Sequence, residues 1–304
     1  MHANGEEGSN IVFQAGEDVG TWQGIQFNYT TGVSNISFCE ISNTNDKAIS
    51  TYYSQDINIF FLHIDSFSGN AIYLDDTFAD VTISNTIIEG GASSTYIDIQ
   101  DTYVIMDNVV LNGGSNTGIE FSGTTSLSMN NCQVSGFYDR GLSISGNNVY
   151  HTITNSSFSG SQYGVYVNYN TDISFDNCEF KDNNTGIYYY SDNINTTITN
   201  SLFQNNSNYG LYIGSGNISY TIDNCEFLNN NEAIRSNTYN TSVVRNSTFM
   251  NNNYRAISGS YNKPNLYNCR ISNNERGIQS VGTVQNCIIN NNSSDWGIQS
   301  ASNV

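Results

Sequence analysis

Two carboxylates, Asp98 and Glu120, stand at equivalent places in a repeating frame, each one residue after an aliphatic side chain (Ile97, Ile119). A close pair of acids can divide the work of glycoside hydrolysis. Each charge opposes ionisation of the other, so one carboxyl keeps its proton as the acid while its partner acts as base or nucleophile. Asp75, Asp76 and Asp101 fall on neighbouring turns of the same frame, and with Asp98 they form a candidate Ca²⁺ set, because Ca²⁺ takes several hard oxygens. A formal net charge of -18, from 9 Lys+Arg against 27 Asp+Glu, favours a plainer reading of these acids as solvated surface groups. Tyr166, Tyr188 and Tyr212 share one outward slot in three consecutive turns, with Tyr190 nearby. Such a row could contact sugar rings or another chain, or could simply brace a sheet. His63 and His151 are isolated and read as surface residues, as does the terminal His2. Arg140 is the nearest cation to the acid group, and nothing else recommends it.

What positions these residues is an internal repeat. A hexad of apolar, any, Asn, Cys or Ser, any, large apolar is sharpest at Ile222-Asp223-Asn224-Cys225-Glu226-Phe227 and Ile153-Thr154-Asn155-Ser156-Ser157-Phe158. Degenerate copies begin at Ile36, Ile59, Ile83 and Met106. Starts lie 22 to 24 residues apart, closing to 18 between Leu266 and Val284. A second column, a small residue before an aliphatic, runs from Gly24-Ile25 through Ala48-Ile49, Gly118-Ile119 and Gly210-Leu211 to Gly297-Ile298. Ala holds four of its places, so close packing rather than a positive φ is the expected constraint.

Alternation rich in Val, Ile, Tyr and Phe is strand patterning, and no 3.6-residue apolar stripe appears. The first and sixth hexad positions are both apolar, which breaks a period of two. A turn at the third-position Asn, which tolerates the left-handed conformation, restores it. Runs such as Asn229-Asn230, Asn251-Asn252 and Asn273-Asn274 are expected to make the next corner. A unit of this length cannot bury its own apolar face, but stacked copies can. The expected fold is therefore all-β: a single-stranded parallel β-helix of about 13 coils, with ~23 residues per coil. Residues 1–10 read as an N-terminal extension, and residues 11–304 as the helix, without a cap at its C-terminal end.

Over residues 11–304 the pattern resembles the right-handed parallel β-helix family with the pectin-lyase-like fold. The resemblance implies enzymes that work on acidic or neutral polysaccharides along one outer strand face. The polygalacturonase-like signature is missing: Asn170-Thr171-Asp172 has no later Asp-Asp or Gly-His-Gly. Near-uniform coils also leave no long loop to wall a cleft.

Six cysteines, at 39, 132, 178, 225, 269 and 287, all take the fourth hexad position and are expected to fill one core column. Only Cys269 and Cys287 fall on consecutive coils, within disulfide reach. Few cations argue against a nucleic-acid or anionic-membrane partner. No apolar run is long enough for a spanning helix, and the opening Met1-His2-Ala3-Asn4 is no signal peptide. The favoured expectation is a non-enzymatic extracellular or cell-surface component of a surface layer, adhesin, stalk or filament. Its partners would be other copies of itself or further coils of a longer parent. A carbohydrate-active or carbohydrate-binding module is the alternative. An ice-binding rod ranks last, for want of a regular Thr column. No cofactor is expected beyond the candidate Ca²⁺.

Overall fold

In the computed structural model the structure describes residues 2–16, 20–75, 80–92, 95–146, 149–190, 193–293 and 297–304. Among the described residues there is no helix, and the strands pair in parallel across the period of the repeat. The chain is a parallel β-solenoid of about 12 turns, close to the 13 expected, with ~23 residues per turn. It divides into two compact units, Met1–Val149 and Tyr150–Val304.

In the first unit the hexad strands Ser34–Ile41, Ile57–Ile64, Val81–Glu89 and Val104–Asn112 lie side by side, so that Ile36, Ile59, Ile83 and Met106 form one buried column. The aliphatic column forms a second sheet, with Ile49 beside Ile72, then Ile97, Ile119 and Leu142. In the second unit Val165, Ile187, Leu211, Ile234, Ile257 and Ile278 align in the same way. Its hexad ends stack Phe158, Phe180, Phe203, Phe227 and Phe249 in register, all with no exposed surface.

The corners follow from asparagine chemistry. Third-position residues from Asn85 through Asn155 and Asn224 to Asn286 have φ between 49 and 54°. In the degenerate copies Phe38 and Phe61 hold the same left-handed conformation and stack at 4.6 Å. The second corner carries a feature that sequence reading missed. Asn205, Asn229, Asn251 and Asn273 are again left-handed, but the Asn that follows each of them is buried. Asn206, Asn230, Asn252 and Asn274 form a ladder in which each Nδ2 donates to the next Oδ1, at 2.8, 3.1, 2.8 and 3.0 Å, the last to Asn292. The same Nδ2 atoms also donate to backbone carbonyls of the phenylalanine column, as Asn230 does to Phe203 at 3.0 Å. The ladder thus satisfies backbone groups that burial would otherwise orphan.

The small-residue column is a close approach, as expected. A Cβ on Gly186 would sit 2.5 Å from the carbonyl oxygen of Gly210, the next member of the column.

Five cysteines are buried and Cys287 is half-buried; all six are free thiols, including Cys269 and Cys287. Burial pushes the Cys225 and Cys269 thiols up to about 12, which leaves them unreactive near neutrality.

His151 corrects the expectation of a surface residue. It occupies an inward position of Val149–Thr154, where Val149, His151 and Ile153 alternate inward, and it is fully buried. Burial pulls its pKa down to about 4. The unfolded chain, with an ordinary imidazole near 6.5, therefore binds more protons than the native state between about pH 6.5 and 4. His151 should cost roughly 3 kcal/mol of stability as pH falls through that window. His151→Leu is expected to flatten this part of the urea-midpoint profile, and parallel profiles for the two proteins would refute the assignment.

Candidate functional site

Because strands alternate, the residue after each buried aliphatic points outward. In the first unit that slot holds Ser50, Tyr73, Asp98, Glu120 and Ser143, in register. The next outward slot holds Tyr52, Asp75, Gln100 and Ser122. Asp98 and Glu120 are therefore direct neighbours, with backbones about 4.8 Å apart in a parallel sheet.

Asp98 is half-buried rather than solvated, and burial pushes its carboxyl above the usual range. The hydrogen bond from Gln100 Nε2 to Asp98 Oδ1, at 3.4 Å, opposes this shift. Glu120 and Asp75 add to the shift, and Lys47 subtracts from it. Lys47 was missed in the sequence reading. Its Nζ lies 4.0 Å from the centre of the Tyr73 ring and 5.7 Å from that of Tyr52, a cation held against aromatic faces beside the acids. The signal was available, since Lys47 immediately precedes the column pair Ala48-Ile49. Tyr73 donates its hydroxyl to Asp75 Oδ2 at 3.2 Å.

The proposed Ca²⁺ ligands do not share one arrangement. Asp75 belongs to the outer face with Asp98. Asp101 sits at a corner with φ of 44°, and its Oδ1 accepts from the Thr124 N–H at 2.9 Å and from the Thr124 hydroxyl at 3.2 Å. Asp76 lies outside the described residues. Among the described residues no group of three or more His, Cys, Asp and Glu is arranged to hold a metal ion. Arg140 is engaged by Asp139, 3.2 Å from its Nε, and donates from a terminal nitrogen to Ser143 at 3.3 Å. His63 Nε2 lies 3.1 Å from Glu89 Oε1 in the hexad sheet.

The second unit presents the tyrosines. Tyr166 and Tyr188 stack at 5.5 Å with planes 3° apart, and Tyr188 and Tyr212 at 4.7 Å and 5°. Tyr190, 56% exposed, lies 6.2 and 6.4 Å from Tyr166 and Tyr188. The stack occupies the faces of Tyr188, so ring edges and hydroxyls are what a ligand meets. Burial and the neighbouring phenols raise the Tyr188 hydroxyl to about 12, so it stays a donor. Sequence reading missed Tyr163 and Tyr209, which pack against the row at 5.1 Å from Tyr188 and 5.0 Å from Tyr212. Both precede a column glycine, Gly164 or Gly210, and that shared frame position was the readable clue.

Parallel turns, an outer acid pair and an outer tyrosine row define a β-solenoid with functional groups on its strand faces. The chain belongs to the right-handed β-helix family, whose pattern (right handed beta helix region) matches residues 117–212 and 185–304. No curated protein matches its sequence. Among solved structures it is similar to the periplasmic alginate epimerase AlgG, at 9% identity and a TM-score of 0.51, with 90% of this chain and 77% of that chain covered. It is also similar to the tailspike gp49 of Acinetobacter baumannii bacteriophage Fri1, a capsular polysaccharide depolymerase, at 15% identity and a TM-score of 0.46, covering 77% of this chain and 50% of that one. A mannuronic-acid-specific family 6 polysaccharide lyase from human gut microbiota gives 10% identity, 93% and 91% coverage, and a TM-score of 0.45.

The likeness to AlgG shows the fold. The same likeness goes against the expectation of a non-enzymatic surface-layer, adhesin, stalk or filament component, because the protein that shares this fold is named as an epimerase. Asp98, read from the sequence as a solvated surface acid, is half-buried.

Proposed function

We propose that the chain is a carbohydrate-active β-helix that hydrolyses a glycosidic bond on the outer face of its first unit. The observation that carries this reading is the Asp98–Glu120 pair: adjacent carboxylates in register, one held protonated more readily by burial and by its neighbour. Asp98 donates its proton to the leaving oxygen while the Glu120 carboxylate attacks the anomeric carbon. The glycosidic C–O bond breaks as a glycosyl ester forms. Asp98, now a carboxylate, takes a proton from water; that water displaces Glu120, and both groups return to their starting states. No metal enters these steps. Tyr73 and Tyr52, carrying Lys47 against their rings, form the flank of the site.

The substrate is a polysaccharide met outside the cytoplasm. No helix among the described residues is long and apolar enough to cross a membrane. The tyrosine row of the second unit is a separate glycan-contacting surface, supported by the exposure of Tyr190 beside three half-buried stacked rings. Incubation with a panel of acidic and neutral polysaccharides tests the reading. New reducing ends from at least one polysaccharide are expected, and a folded protein that releases none from any of them would overturn it.

A further inference from the structure

Following the Tyr166–Tyr188–Tyr212 row one coil further, the same outward slot is taken by Arg235 and then by Ser258 and Gln279. These residues line a pocket of about 250 Å³ together with Tyr212, Asn237 and Arg255. A pocket built around two guanidiniums is unexpected in a chain with three acids for every base. The guanidiniums are held in place from below. Glu232, 1% exposed, lies 2.8 Å from a terminal nitrogen of Arg235 and 3.9 Å from one of Arg255, and it accepts from the Ser258 hydroxyl. Arg235 also donates to the Tyr209 hydroxyl at 2.8 Å, and Arg255 to that of Tyr254 at 2.6 Å, with its guanidinium 4.1 Å from the Tyr254 ring centre.

One carboxylate serves two cations, so the cluster keeps a surplus positive charge. Arg276 also lies over the Tyr254 ring, 4.7 Å from its centre, with Glu275 4.0 Å away, and that second pair is balanced. The Arg255 side chain is only 14% exposed, and its Nε is buried with no hydrogen-bond acceptor among the described residues. That Nε is closed to solvent, so an anion entering the pocket would act on the guanidinium pair as a whole, offsetting its surplus charge. Asn237, Ser258 and Gln279 add neutral polar groups around the two charges, which suits an anion carried on a hydroxylated ring.

We propose that this pocket binds an anionic substituent of a glycan, a uronate carboxylate or a sulfate ester, with Arg235 and Arg255 as its ligands. The saccharide part of the proposal rests on the reading given under Proposed function; the anion site itself rests on the guanidinium pair. Arginine is suited to the task because its planar fork meets carboxylate or sulfate oxygens in pairs.

The test titrates the full chain with three probes: trigalacturonate, a sulfated galactose oligomer and a neutral galactose oligomer. Binding of one or both anionic probes, at least tenfold tighter than the neutral one and weakening as salt is raised, is expected. Which anionic probe wins identifies the substituent. Arg255→Gln combined with Glu232→Gln removes the site without leaving a buried carboxylate unpaired, and should weaken binding at least tenfold. Arg235→Gln, measured separately, should do the same. Lys181→Gln, which removes a cation paired with Glu179 away from the pocket, should leave binding unchanged. Equal affinity for neutral and anionic probes, no binding of either anionic probe, or indifference to both arginine variants in folded protein would overturn the proposal. A chain that cleaves no polysaccharide yet binds an anionic probe through Arg255 would keep this pocket and lose only the catalytic reading.

Discussion

Phe227→Asp should leave the second unit unfolded at temperatures where the wild type is fully native. Phe227 lies between Phe203, at 4.5 Å and 4°, and Phe249, at 4.8 Å and 10°, and none of its surface is exposed. The substitution removes a large buried ring and its two stacking contacts, and places a carboxylate between the apolar rings of Phe203 and Phe249. Loss of a buried Phe alone costs about 3–5 kcal/mol, and an unpaired buried charge adds several more. The sum is comparable to the whole stability of an ordinary domain. Thermal melts by circular dichroism check this, and equal midpoints for variant and wild type would refute the placement of Phe227. The neighbouring ladder predicts a second large loss. Asn230→Leu keeps the branched shape, with bulkier methyl groups, but strips a carbonyl that accepts from the Asn206 backbone N–H at 3.1 Å and from its side chain at 2.8 Å. It also strips the amide that serves Phe203 and Asn252. Buried groups left unpaired cost about 1–3 kcal/mol each.

The second large effect is on turnover. Asp98→Asn removes the proposed proton donor while keeping its shape and its place between Tyr73 and Glu120. A positioned acid contributes about 10²–10⁴-fold, and a drop of that size in kcat is expected, without loss of fold. Glu120→Gln should fall comparably, because a neutral amide cannot attack the anomeric carbon. The direction of the pH effect follows from the raised Asp98 carboxyl. Activity should decline as pH rises through that pKa and the donor ionises, whereas an ordinary aspartic acid would already be ionised at lower pH. Asp98→Asn should abolish this alkaline limb of the residual rate. Unchanged turnover in either variant would remove the pair from the chemistry.

Much of the fold was legible because a solenoid writes each structural requirement once per coil. The Asn of Asn224-Cys225 and the Gly of Gly186-Ile187 each recur, and each recurrence maps to one cause, a left-handed corner or a 2.5 Å backbone approach. The sites were less legible because they are not periodic. Lys47, Glu232 and Arg255 matter through what lies across the coil from them, and a residue read along its own strand does not reveal that. His151 was misplaced because residue type was weighed above alternation, although Val149 and Ile153 on either side already marked its position as inward. The buried ladder of Asn206, Asn230, Asn252 and Asn274 was hidden for a related reason. Asparagine pairs look like exposed turns until the second member is seen to face a column of its own kind.

Proton NMR of the first-formed product, from whichever polysaccharide the chain degrades, tests the Asp98–Glu120 pair. Carboxylates on adjacent parallel strands lie nearer the roughly 5–5.5 Å spacing of a double-displacement pair than the wider gap that admits a water. A new reducing end is therefore expected whose anomeric configuration matches that of the bond cleaved, formed by the wild type and not by Asp98→Asn. An inverted anomer, an unsaturated sugar end, or the same product at the same rate from both proteins would contradict it.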